Sequence, residues 1–567
     1  MKITGAELIA RSLIANGITH AFNVPGLGIH PLLGALKGHS DKIRYFSAPN
    51  ETGVSLMADG YGRATGKPAF VNVYHASGTA LGLMGVTTAW GDRSPMIFSS
   101  TTSSRKLERR DQYASVPRDI TEMTRQYCKW SWEVPLVERI PEAIARAVVM
   151  ATTPPMGPVH LGFPMDLYTE EIELDAAEAA LLARPERLRV YNAGGADPAG
   201  IAAAAALLAG AKRPLIIAGG EVAQYRAIET LVQIAESLGA AVLGEPYVAY
   251  LGFPYDHPQF AGRFSPRNPL SQQADVILVV GTEFSDPGGA VPPLPPESAK
   301  VICLATEALD IGKQIWADVG LIGHPKTSLA MLRDSLAALG KPAERTDWRS
   351  ETARVRSENQ AVIETEKRRG WDDSPVHLPR LIHETRKVFP DAVIMDHSTT
   401  GAAYLLQMCD YPDPYDYFGI SARASAQGWG VPAAMGMQIG LPNKRVVAFV
   451  GDGGFMFTSA ALQAAAQWRL PLVVIVIGNG GWHDVAYGAR KNRGWTEDDV
   501  KSYGWVLDPV IDYAGLAKSL GLRSLRVDTP AQLPGALIEA RDDMSPILLE
   551  VRCDPEAVAY YLSYLAR

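Results

Sequence analysis

The sequence lacks the features of a membrane-bound, secreted or nucleic-acid-binding protein. Its 567 residues include only four cysteines, Cys128, Cys303, Cys409 and Cys553, which lie far apart and form no metal-binding pair. No apolar run approaches the roughly 20 residues of a membrane-spanning helix, and no secretory signal precedes Thr4. The net charge of −7 provides no basic surface for nucleic acid or anionic lipid. We therefore expect a soluble cytoplasmic protein with reduced cysteines and with neither a nucleic-acid nor a membrane partner.

Two common nucleotide-binding motifs are also missing from the most Gly-rich turn, residues 451–454. A P-loop needs a Lys followed by Ser or Thr, and this turn has no such pair. A dinucleotide-binding turn needs G-x-G-x-x-G, but Met456 stands at the position of the last glycine. In addition, Asp452 stands where a phosphate would have to approach. The turn must therefore serve another purpose if it binds a ligand.

What is present near this turn is a strand–helix–strand pattern. Apolar runs at 446–450 and 470–477 predict two buried parallel strands, and residues 460–468 predict the helix between them. Each strand ends at a Gly-rich turn, 451–454 or 478–481. Because open α/β sheets bind ligands at the carboxyl ends of their strands, both turns are candidates for one binding site.

Each turn carries one hard oxygen donor, Asp452 or Asn479, and the two lie 27 positions apart. A strand–helix–strand unit brings its strand ends together, so that both side chains can reach one ion. A carboxylate and an amide oxygen suit Mg²⁺, which binds through a few protein oxygens and phosphate oxygens. Gly453 and Gly454 would let the backbone approach a diphosphate at the start of the following helix. The alternative is two ordinary turns of an α/β domain.

Gly451-Asp452-Gly453 followed at this distance by Asn479 resembles the GDG…N motif of thiamine diphosphate (ThDP) enzymes. The resemblance implies that ThDP and Mg²⁺ are the cofactors. It also implies that Asp452, Asn479 and the backbone carbonyl of Gly481 bind the Mg²⁺.

The N-terminal part of the chain resembles the same family. Glu51 precedes the stretch ADGYGRATGK at residues 58–67, which is similar to the family's E-x-x-x-x-x-x-A-x-G-Y-x-R-x-x-G-K pattern. The resemblance implies that the Glu51 carboxyl hydrogen-bonds the aminopyrimidine ring of ThDP and promotes loss of the proton from its thiazolium C2. In the family, that carbon then adds to a 2-oxo group, and the reaction proceeds through an enamine.

The strand and helix patterns predict three doubly wound parallel-sheet domains of the α/β class. By resemblance these are a pyrimidine-binding (PYR) domain at 1–180, a central domain at 190–340 and a diphosphate-binding (PP) domain at 370–555. Linkers are predicted at 170–195 and 340–378, the second as a charged helix. The first and third domains are expected to be similar in kind. Relatives build each site between two subunits, so that the resemblance implies a homodimer or homotetramer.

In the first domain the pattern predicts three strands that end at one edge of the sheet. These ends offer a turn at 23–28, Glu51, and a turn at 74–79. The strands themselves are predicted at 18–22, 43–47 and 69–74.

Residues that face the substrate are harder to assign. In the alignment with benzoylformate decarboxylase, Tyr74 falls at the position of the catalytic histidine, which is displaced here to His75, and Leu27 replaces an active-site serine. Conversely, His483 and Asp484 lie close to the position where pyruvate decarboxylases place a catalytic glutamate. His75, His483 and Asp484 are therefore candidate proton donors; the alternative for the last two is a structural pair at a helix start.

Three further segments bear on function. Gln427 stands where relatives place a large apolar residue that bends ThDP, which makes it a departure from the family pattern. The polar, aromatic segment 487–508 is interpreted as a lid, with a solvated helix and turn as the alternative. The Gly219-Gly220 turn of the central domain could suggest a nucleotide site, but no specific signal supports one, and FAD is not expected.

Three functions remain open. The first is a ThDP- and Mg²⁺-dependent decarboxylase or C–C lyase that acts on a 2-oxoacid, similar to benzoylformate decarboxylase. The second is a carboligase similar to acetolactate synthase or benzaldehyde lyase, which forms or splits 2-hydroxy ketones. The third is a ThDP-binding protein without catalysis, against which Glu51, Asp452 and Asn479 argue.

Overall fold

Three six-stranded sheets form the framework of the protein. The computed structural model describes residues 2–26, 28–106, 117–173, 190, 193–245, 248–265, 267–282, 296–313, 316–340, 344–421 and 423–555. Within each sheet all strands run parallel. Such a sheet is covered by helices on both faces, and its strands are accordingly apolar and buried. The predicted fold class is confirmed. No helix among the described residues is long and apolar enough to cross a membrane.

The N-terminal domain has the strand order β3-β2-β4-β5-β7-β6, and a separate antiparallel pair joins β1 to β8. Its strands are β1 Lys2–Thr4, β2 His20–Asn23, β3 Arg44–Ser47, β4 Ala69–Tyr74, β5 Met96–Thr102, β6 Ser131–Glu133, β7 Pro158–Pro164 and β8 Glu171–Glu173. Its helices are α1 Gly5–Ala15, α2 His30–Gly38, α3 Glu51–Thr65, α4 His75–Gly91 and α5 Ile140–Thr152.

The central domain has the order β11-β10-β9-β12-β13-β14, which is the arrangement of dinucleotide-binding folds. Its strands are β9 Pro214–Ala218, β10 Ala241–Gly244, β11 Phe260–Arg263, β12 Val276–Val280, β13 Lys300–Ala305 and β14 Val319–Ile322. Its helices are α6 Pro198–Gly210, α7 Gly220–Gln224, α8 Ile228–Leu238, α9 Pro269–Gln273 and α10 Pro325–Ala338, and α11 Thr346–Arg368 leads to the next domain.

The C-terminal domain has the order β16-β15-β17-β18-β20-β19. Its strands are β15 Val393–His397, β16 Tyr417–Phe418, β17 Val446–Gly451, β18 Leu472–Gly478, β19 Arg523–Val527 and β20 Ile547–Arg552. Its helices are α12 Leu378–Val388, α13 Ala402–Met408, α14 Gly430–Gly440, α15 Asp452–Met456, α16 Leu462–Gln467, α17 His483–Arg493, α18 Glu497–Ser502, α19 Tyr513–Ser519 and α20 Leu533–Asp542.

The first and third domains share one topology. If each domain's strands are numbered from its own first sheet strand, both sheets read 2-1-3-4-6-5. In such a sheet the strand order reverses between the first and third of these strands, and ligands bind in the crevice beyond that point. The two crevices lie beyond β2 and β4 in the N-terminal domain and beyond β15 and β17 in the C-terminal domain.

Helices α3 and α14 hold these two domains together by direct backbone contact. A Cβ at Gly60 of α3 would overlap the backbone of Ala433, and one at Gly436 of α14 would overlap the carbonyl oxygen of Met57. Only glycine at both positions allows this close approach.

A buried polar cluster accompanies the contact between the helices. The Arg63 guanidinium pairs with Asp59 and Asp92 and lies 4.5 Å from the Trp429 ring centroid. The Trp429 indole N–H donates to Asp59 at 2.7 Å. The Arg63 and Asp59 side chains are fully buried, so this cluster links the domains by charge-assisted hydrogen bonds as well as by packing.

The structure corrects three local predictions. Residues 74–79 do not form a turn, because α4 begins directly at His75. The helix predicted over 460–468 consists of a short 3₁₀ turn at Ser459–Ala461 followed by α16, and a separate short helix, α15, precedes it. The first predicted linker begins with β8, which pairs with β1. The middle of that linker, 174–189, lies outside the described residues, and the domain boundaries remain predictions.

Candidate active site

The two Gly-rich turns of the C-terminal domain meet at the edge of the sheet. Asp452 follows β17 directly, and the adjacent strand β18 ends at Gly478. One carboxylate oxygen of Asp452 accepts the Gly453 N–H at 2.8 Å, and the other accepts the Gly480 N–H at 2.7 Å. The Asp452 side chain is therefore fixed between the two turns.

The donor atoms at this edge suit a magnesium ion. The Asn479 side-chain oxygen is buried and has no hydrogen-bond partner among the described residues. Burial raises the pKa of Asp452 to about 6, although backbone N–H groups around it oppose this rise. A cation would stabilise the ionised carboxylate and would supply the Asn479 oxygen with the partner that it lacks. Asp452, Asn479 and the Gly481 carbonyl thus fit the predicted set, and that assignment remains a prediction.

The turn that carries Asn479 is held from behind by residues 505–507. The Trp482 N–H donates to the Trp505 carbonyl at 3.0 Å, and the Leu507 N–H donates to the Gly480 carbonyl at 2.8 Å. Gly481 has a φ of 142°, and a Cβ there would overlap the Trp505 carbonyl oxygen. Gly481 must therefore be glycine both for its backbone conformation and for this contact.

The same contacts bear on the predicted lid, residues 487–508. Its first part forms α17 and α18, and its end is tied to the Asn479 turn. Rings of Trp495, Tyr503 and Trp505 stack within it, with centroids 4.9 Å and 4.8 Å apart. The segment is thus folded and attached to the candidate metal turn, and movement as a lid remains a prediction.

Gly453 and Gly454 face side chains that close the space beside the turn. A Cβ at Gly453 would lie 2.9 Å from the Trp482 indole nitrogen, and one at Gly454 would lie 3.2 Å from the Gln427 side-chain oxygen. Gln427 is exposed and is followed by Gly428 with a φ of 84°. The structure therefore brings Gln427 next to the glycines expected at the diphosphate.

The loop after β15, at the point where the sheet order reverses, was not predicted as part of the site. His397 is buried, and its ring lies 3.4 Å from the position of a Cβ on Gly454. Burial lowers the pKa of His397 to about 4, so its ring is neutral at pH 7. Asp396 accepts hydrogen bonds from the Ser398 N–H and hydroxyl, and Thr399 has a φ of 53°. Non-glycine residues in this conformation are strained and are frequent at functional sites.

A signal for this loop was present in the sequence. The apolar strand ends in a polar Asp-His-Ser-Thr-Thr-Gly run at residues 396–401, just as the two recognised strands end in Gly-rich turns. This run has no pair of glycines and does not belong to the GDG…N motif, so it was not recognised as part of the site.

In the N-terminal domain, Glu51 is the first residue of α3. The Asn50 side-chain oxygen caps this helix by accepting the Gly53 N–H at 2.8 Å. The Glu51 carboxyl points toward the first turns of α4, where a Cβ at Gly78 would lie 3.0 Å from one carboxyl oxygen. The absence of a side chain at Gly78 therefore leaves space for the Glu51 carboxyl.

His75 is the first residue of α4, the helix whose Gly78 faces Glu51, and it has an unexpected conformation. It is buried with a φ of 59°, and its Nε2 lies 3.3 Å from the Ser103 hydroxyl. Its ring also packs against Tyr74, with centroids 4.6 Å apart. The one-residue displacement relative to benzoylformate decarboxylase thus moves the imidazole from a strand end to a helix start. Leu27 lies outside the described residues.

His483 and Asp484 begin α17, four and five positions after Asn479. His483 is buried, and its Nε2 lies 3.7 Å from the position of a Cβ on Gly480. Asp484 is half-buried, and burial raises its pKa. One Asp484 carboxyl oxygen is buried and has no hydrogen-bond partner in the part of the chain that the structure describes. Buried carboxyl oxygens usually have a partner, so this oxygen favours the proton-donor assignment over the structural pair, and that assignment remains a prediction.

The turn at Gly219-Gly220 of the central domain is occupied by the protein's own carboxylates. The Gly220 N–H donates to Glu245 at 2.8 Å, and the buried Glu221 accepts from the Thr306 N–H and pairs with Arg93. These carboxylates accept the hydrogen bonds of backbone N–H groups that a phosphate would need. This arrangement supports the expectation that the turn does not hold FAD, which remains a prediction.

Family models match each of the three domains. The thiamine pyrophosphate enzyme N-terminal TPP binding domain matches residues 3–123, its central domain matches residues 201–332, and its C-terminal TPP binding domain matches residues 399–551. The chain belongs to the thiamine diphosphate enzymes. The Asp452–Asn479 edge lies in the C-terminal TPP binding domain, and Glu51 lies in the N-terminal one.

Relatives of this ThDP enzyme carry out different reactions. Benzoylformate decarboxylase of Pseudomonas aeruginosa is 28% identical over 94% of this chain and 96% of its own. A probable acetolactate synthase large subunit of Methanocaldococcus jannaschii is 26% identical over 97% of this chain and 92% of its own. A solved structure, the ThDP-dependent 4-hydroxybenzoylformate decarboxylase of Rhodococcus jostii, has a TM-score of 0.83 at 25% identity, covering 97% of this chain and 99% of that one. The chain is therefore an enzyme of the decarboxylase and acetolactate synthase group.

Proposed function

We propose that this enzyme uses ThDP and Mg²⁺ to decarboxylate a 2-oxoacid or to cleave a related C–C bond, in the manner of benzoylformate decarboxylase. The observation that carries the proposal is the meeting of the Asp452 carboxylate with the Asn479 turn, where one amide oxygen has no partner. That edge offers oxygen donors to a metal–diphosphate group and has the residues of neither a P-loop nor a dinucleotide-binding turn.

The residues of the chain would divide the work of cofactor binding. Asp452, Asn479 and the Gly481 carbonyl hold Mg²⁺, Gly453 and Gly454 admit the diphosphate, and Glu51 hydrogen-bonds the pyrimidine ring. When bound, ThDP supplies the carbon nucleophile and the electron sink of the reaction. Gln427, beside Gly454, contacts the ring system and orients it.

Proton transfer falls to polar groups at the same strand ends. Asp484 suits a general acid, because burial raises the pKa of its carboxyl and keeps the proton on it to higher pH. His483 adjoins it at the start of α17, and His75 offers a second imidazole from the N-terminal domain. The substrate would be a small 2-oxoacid or 2-hydroxy ketone.

A carboligase is the second candidate. Acetolactate synthase relatives match this chain over the same length and at nearly the same identity as the decarboxylase. The polar Gln427 beside Gly454 also gives the site a hydrogen-bonding group that could hold an acceptor aldehyde or ketone.

Product analysis separates these functions. The enzyme loaded with ThDP and Mg²⁺ is incubated with benzoylformate, with pyruvate, and with each plus benzaldehyde. We expect CO₂ and free aldehyde from a 2-oxoacid alone. Hydroxy ketone as the main product would favour the carboligase, and no turnover on a broad panel of 2-oxoacids would favour a ThDP-binding protein without catalysis. The Asp452→Ala variant serves as the background control.

A further inference from the structure

A cavity of about 570 Å³ lies between the central domain, α11 and the C-terminal domain. Its walls come from β11, from α11 between Val355 and Lys367, and from residues 406–410 after α13. Cavities of this size hold small organic ligands in many proteins. None of the residues of the candidate active site lines it.

Arg263 lies in the wall of this cavity at the end of β11. Arg263 is only 6% exposed, and its Nε is buried without a hydrogen-bond acceptor in the described structure. No hydrogen bond or ion pair to Arg263 occurs among the described residues, although its charge acts on the buried Asp396. A buried guanidinium without acceptors costs free energy. An anion in the cavity would supply them, in the paired geometry that guanidinium groups prefer.

Arg356 adds a second guanidinium charge from α11. It donates to the backbone carbonyls of His257 at 2.5 Å, Phe260 at 2.7 Å and Asp256 at 3.0 Å. These acceptors are neutral, so the positive charge of Arg356 is not balanced by a carboxylate at hydrogen-bond distance in the described structure.

The acidic residues of the cavity are mostly engaged elsewhere. Glu364 pairs with Lys367 at 2.8 Å, and Glu358 pairs with Arg354, which does not line the cavity. Asp410 is exposed at the rim. No acid of the cavity wall is therefore paired with Arg263 or Arg356 in the described structure, and the buried Asp396 behind the wall is the carboxyl on which the Arg263 charge acts.

The remaining wall is apolar. Phe260, Leu406 and Met408 are buried, and Val355 and Ile363 of α11 face them across the cavity. A ligand that fits both parts of the wall has a charged end and an apolar body.

We propose that this cavity is a second ligand site, which binds a small organic anion through Arg263 and Arg356. The carboxylate or phosphate group of the ligand would accept hydrogen bonds from the Arg263 guanidinium. The apolar part of the ligand would lie against Phe260, Leu406 and Met408. A 2-oxoacid and a nucleoside phosphate both carry such a group, and binding measurements distinguish them.

The test measures equilibrium binding of three probes, inorganic phosphate, ADP and benzoylformate, by calorimetry. We expect at least one probe to bind the wild-type enzyme and to bind Arg263→Met at least tenfold more weakly. Arg349→Met is the matched control, because this exposed arginine lies on the same helix outside the cavity and pairs with none of its acids in the described structure, and binding should be unchanged. Binding of phosphate and ADP would indicate a phosphate ligand, and binding of benzoylformate alone a carboxylate.

A second variant guards against a folding defect in Arg263→Met. Val362 is 53% exposed at the cavity mouth, and Val362→Trp should obstruct the cavity while both arginines stay in place. It should weaken the same probe at least tenfold, with an unchanged far-UV spectrum. Absence of binding by every probe at millimolar concentration, or binding that Arg263→Met and Val362→Trp leave unaltered, would overturn the proposal.

Discussion

At the scale of single residues, the orientation of Asp452 depends on backbone N–H groups and not on a basic side chain. Each carboxylate oxygen accepts one N–H, from Gly453 or from Gly480, and still has a lone pair for a cation. Such a carboxylate is positioned before the metal arrives. The neighbouring Asn479 oxygen has no partner among the described residues and adds the second donor.

Replacement of Asp452 by alanine should abolish metal-dependent cofactor binding. Loss of the carboxylate removes the charged metal ligand, and we expect the affinity for ThDP in the presence of Mg²⁺ to fall by more than about 100-fold. ThDP binding is measured by calorimetry with and without Mg²⁺. Asp498→Ala, at an exposed position of α18, is the control. Equal ThDP affinity of Asp452→Ala and wild type would remove Asp452 from the metal site.

Replacement of Glu51 by glutamine tests a different step. The amide keeps the size of the side chain but loses its basicity, so that ThDP should still bind while exchange of its C2 proton slows by about 10²- to 10⁴-fold. Exchange is followed by NMR in deuterated solvent. Glu122→Gln, 58% exposed in the same domain, should exchange normally. Unchanged exchange in Glu51→Gln would mean that another group activates the cofactor.

At the scale of elements, α3 connects the candidate site with the domain contact. The helix begins at Glu51 and carries Gly60 against α14 nine residues later. A disturbance at the contact should therefore reach the Glu51 carboxyl.

Gly436→Ala should destabilise the enzyme strongly. The added methyl would overlap the Met57 carbonyl, so the helices must separate, and overpacking of this kind costs about 1–3 kcal/mol or more. Gly34→Ala is the matched control, because Gly34 lies in the exposed face of α2 with open space around it and should gain about 0.5–1 kcal/mol. Thermal unfolding compares the two variants. A midpoint for Gly436→Ala at or above that of the wild type would contradict the described helix contact.

The sheet of the N-terminal domain contains a histidine that should make stability pH-dependent. His160 of β7 is buried between the Ser100 and Thr124 hydroxyls, at 2.8 Å and 2.7 Å, and burial lowers its pKa to about 3. The unfolded chain has a histidine pKa of about 6.5, so that below this value the unfolded state takes up the proton first. Stability should therefore fall as the pH is lowered from 6.5, by up to about 1.4 kcal/mol per pH unit for this residue.

The measurement compares unfolding midpoints at pH 7 and pH 5 in the wild type and in His160→Gln. Glutamine can also donate and accept hydrogen bonds but does not titrate in this range. The variant should lose less stability between the two pH values than the wild type does. An equal loss would show that His160 does not contribute to the acid sensitivity.

The elements were predicted more accurately than their ends. Apolar runs identified β4 and both strands of the metal motif, because buried parallel strands are nearly continuous in apolar residues. The 74–79 segment was mistaken for a turn because His75-Ala-Ser-Gly-Thr is rich in small polar residues. In the structure a single left-handed residue, His75, connects strand to helix without any loop. Backbone dihedrals of this kind leave no regular trace in a sequence.

The candidate site divides in the same way. Asp452 and Asn479 could be predicted because their spacing follows from one strand–helix–strand unit. His397 and the loop after it could not be placed, because β15 lies beside β17 only once the sheet order is known. By the family resemblance, the residues that lie opposite Glu51 across the cofactor belong to another subunit, and a single chain does not show them.

At the scale of the whole molecule, the central domain is joined to the N-terminal domain through Arg93. This buried residue, with a φ of 55°, pairs with Glu221, Glu307 and Asp310 of the central domain. Together with the α3–α14 contact, these ion pairs join the three domains of the chain. By the family resemblance, we expect Glu51 to meet Asp452 of another subunit.

Mixing two inactive variants tests this arrangement. Glu51→Gln and Asp452→Ala are unfolded, refolded together in equal amounts and assayed. If each site combines Glu51 of one subunit with Asp452 of the other, a mixed dimer has one intact site, and random pairing restores about a quarter of wild-type activity. If both residues act within one chain, the mixture stays as inactive as either variant alone. Refolded wild type calibrates the yield.

The close approach of α3 and α14 at Gly60 and Gly436 also limits how this enzyme can diversify. No side-chain atoms separate the two helices there, so the spacing of the outer domains cannot be adjusted in small steps; the smallest change available is a whole methyl group. We therefore expect a new substrate to be accommodated by exchange of side chains at the strand ends, with Tyr74, His75 and Asp484 as candidates, while the distance between the outer domains stays fixed.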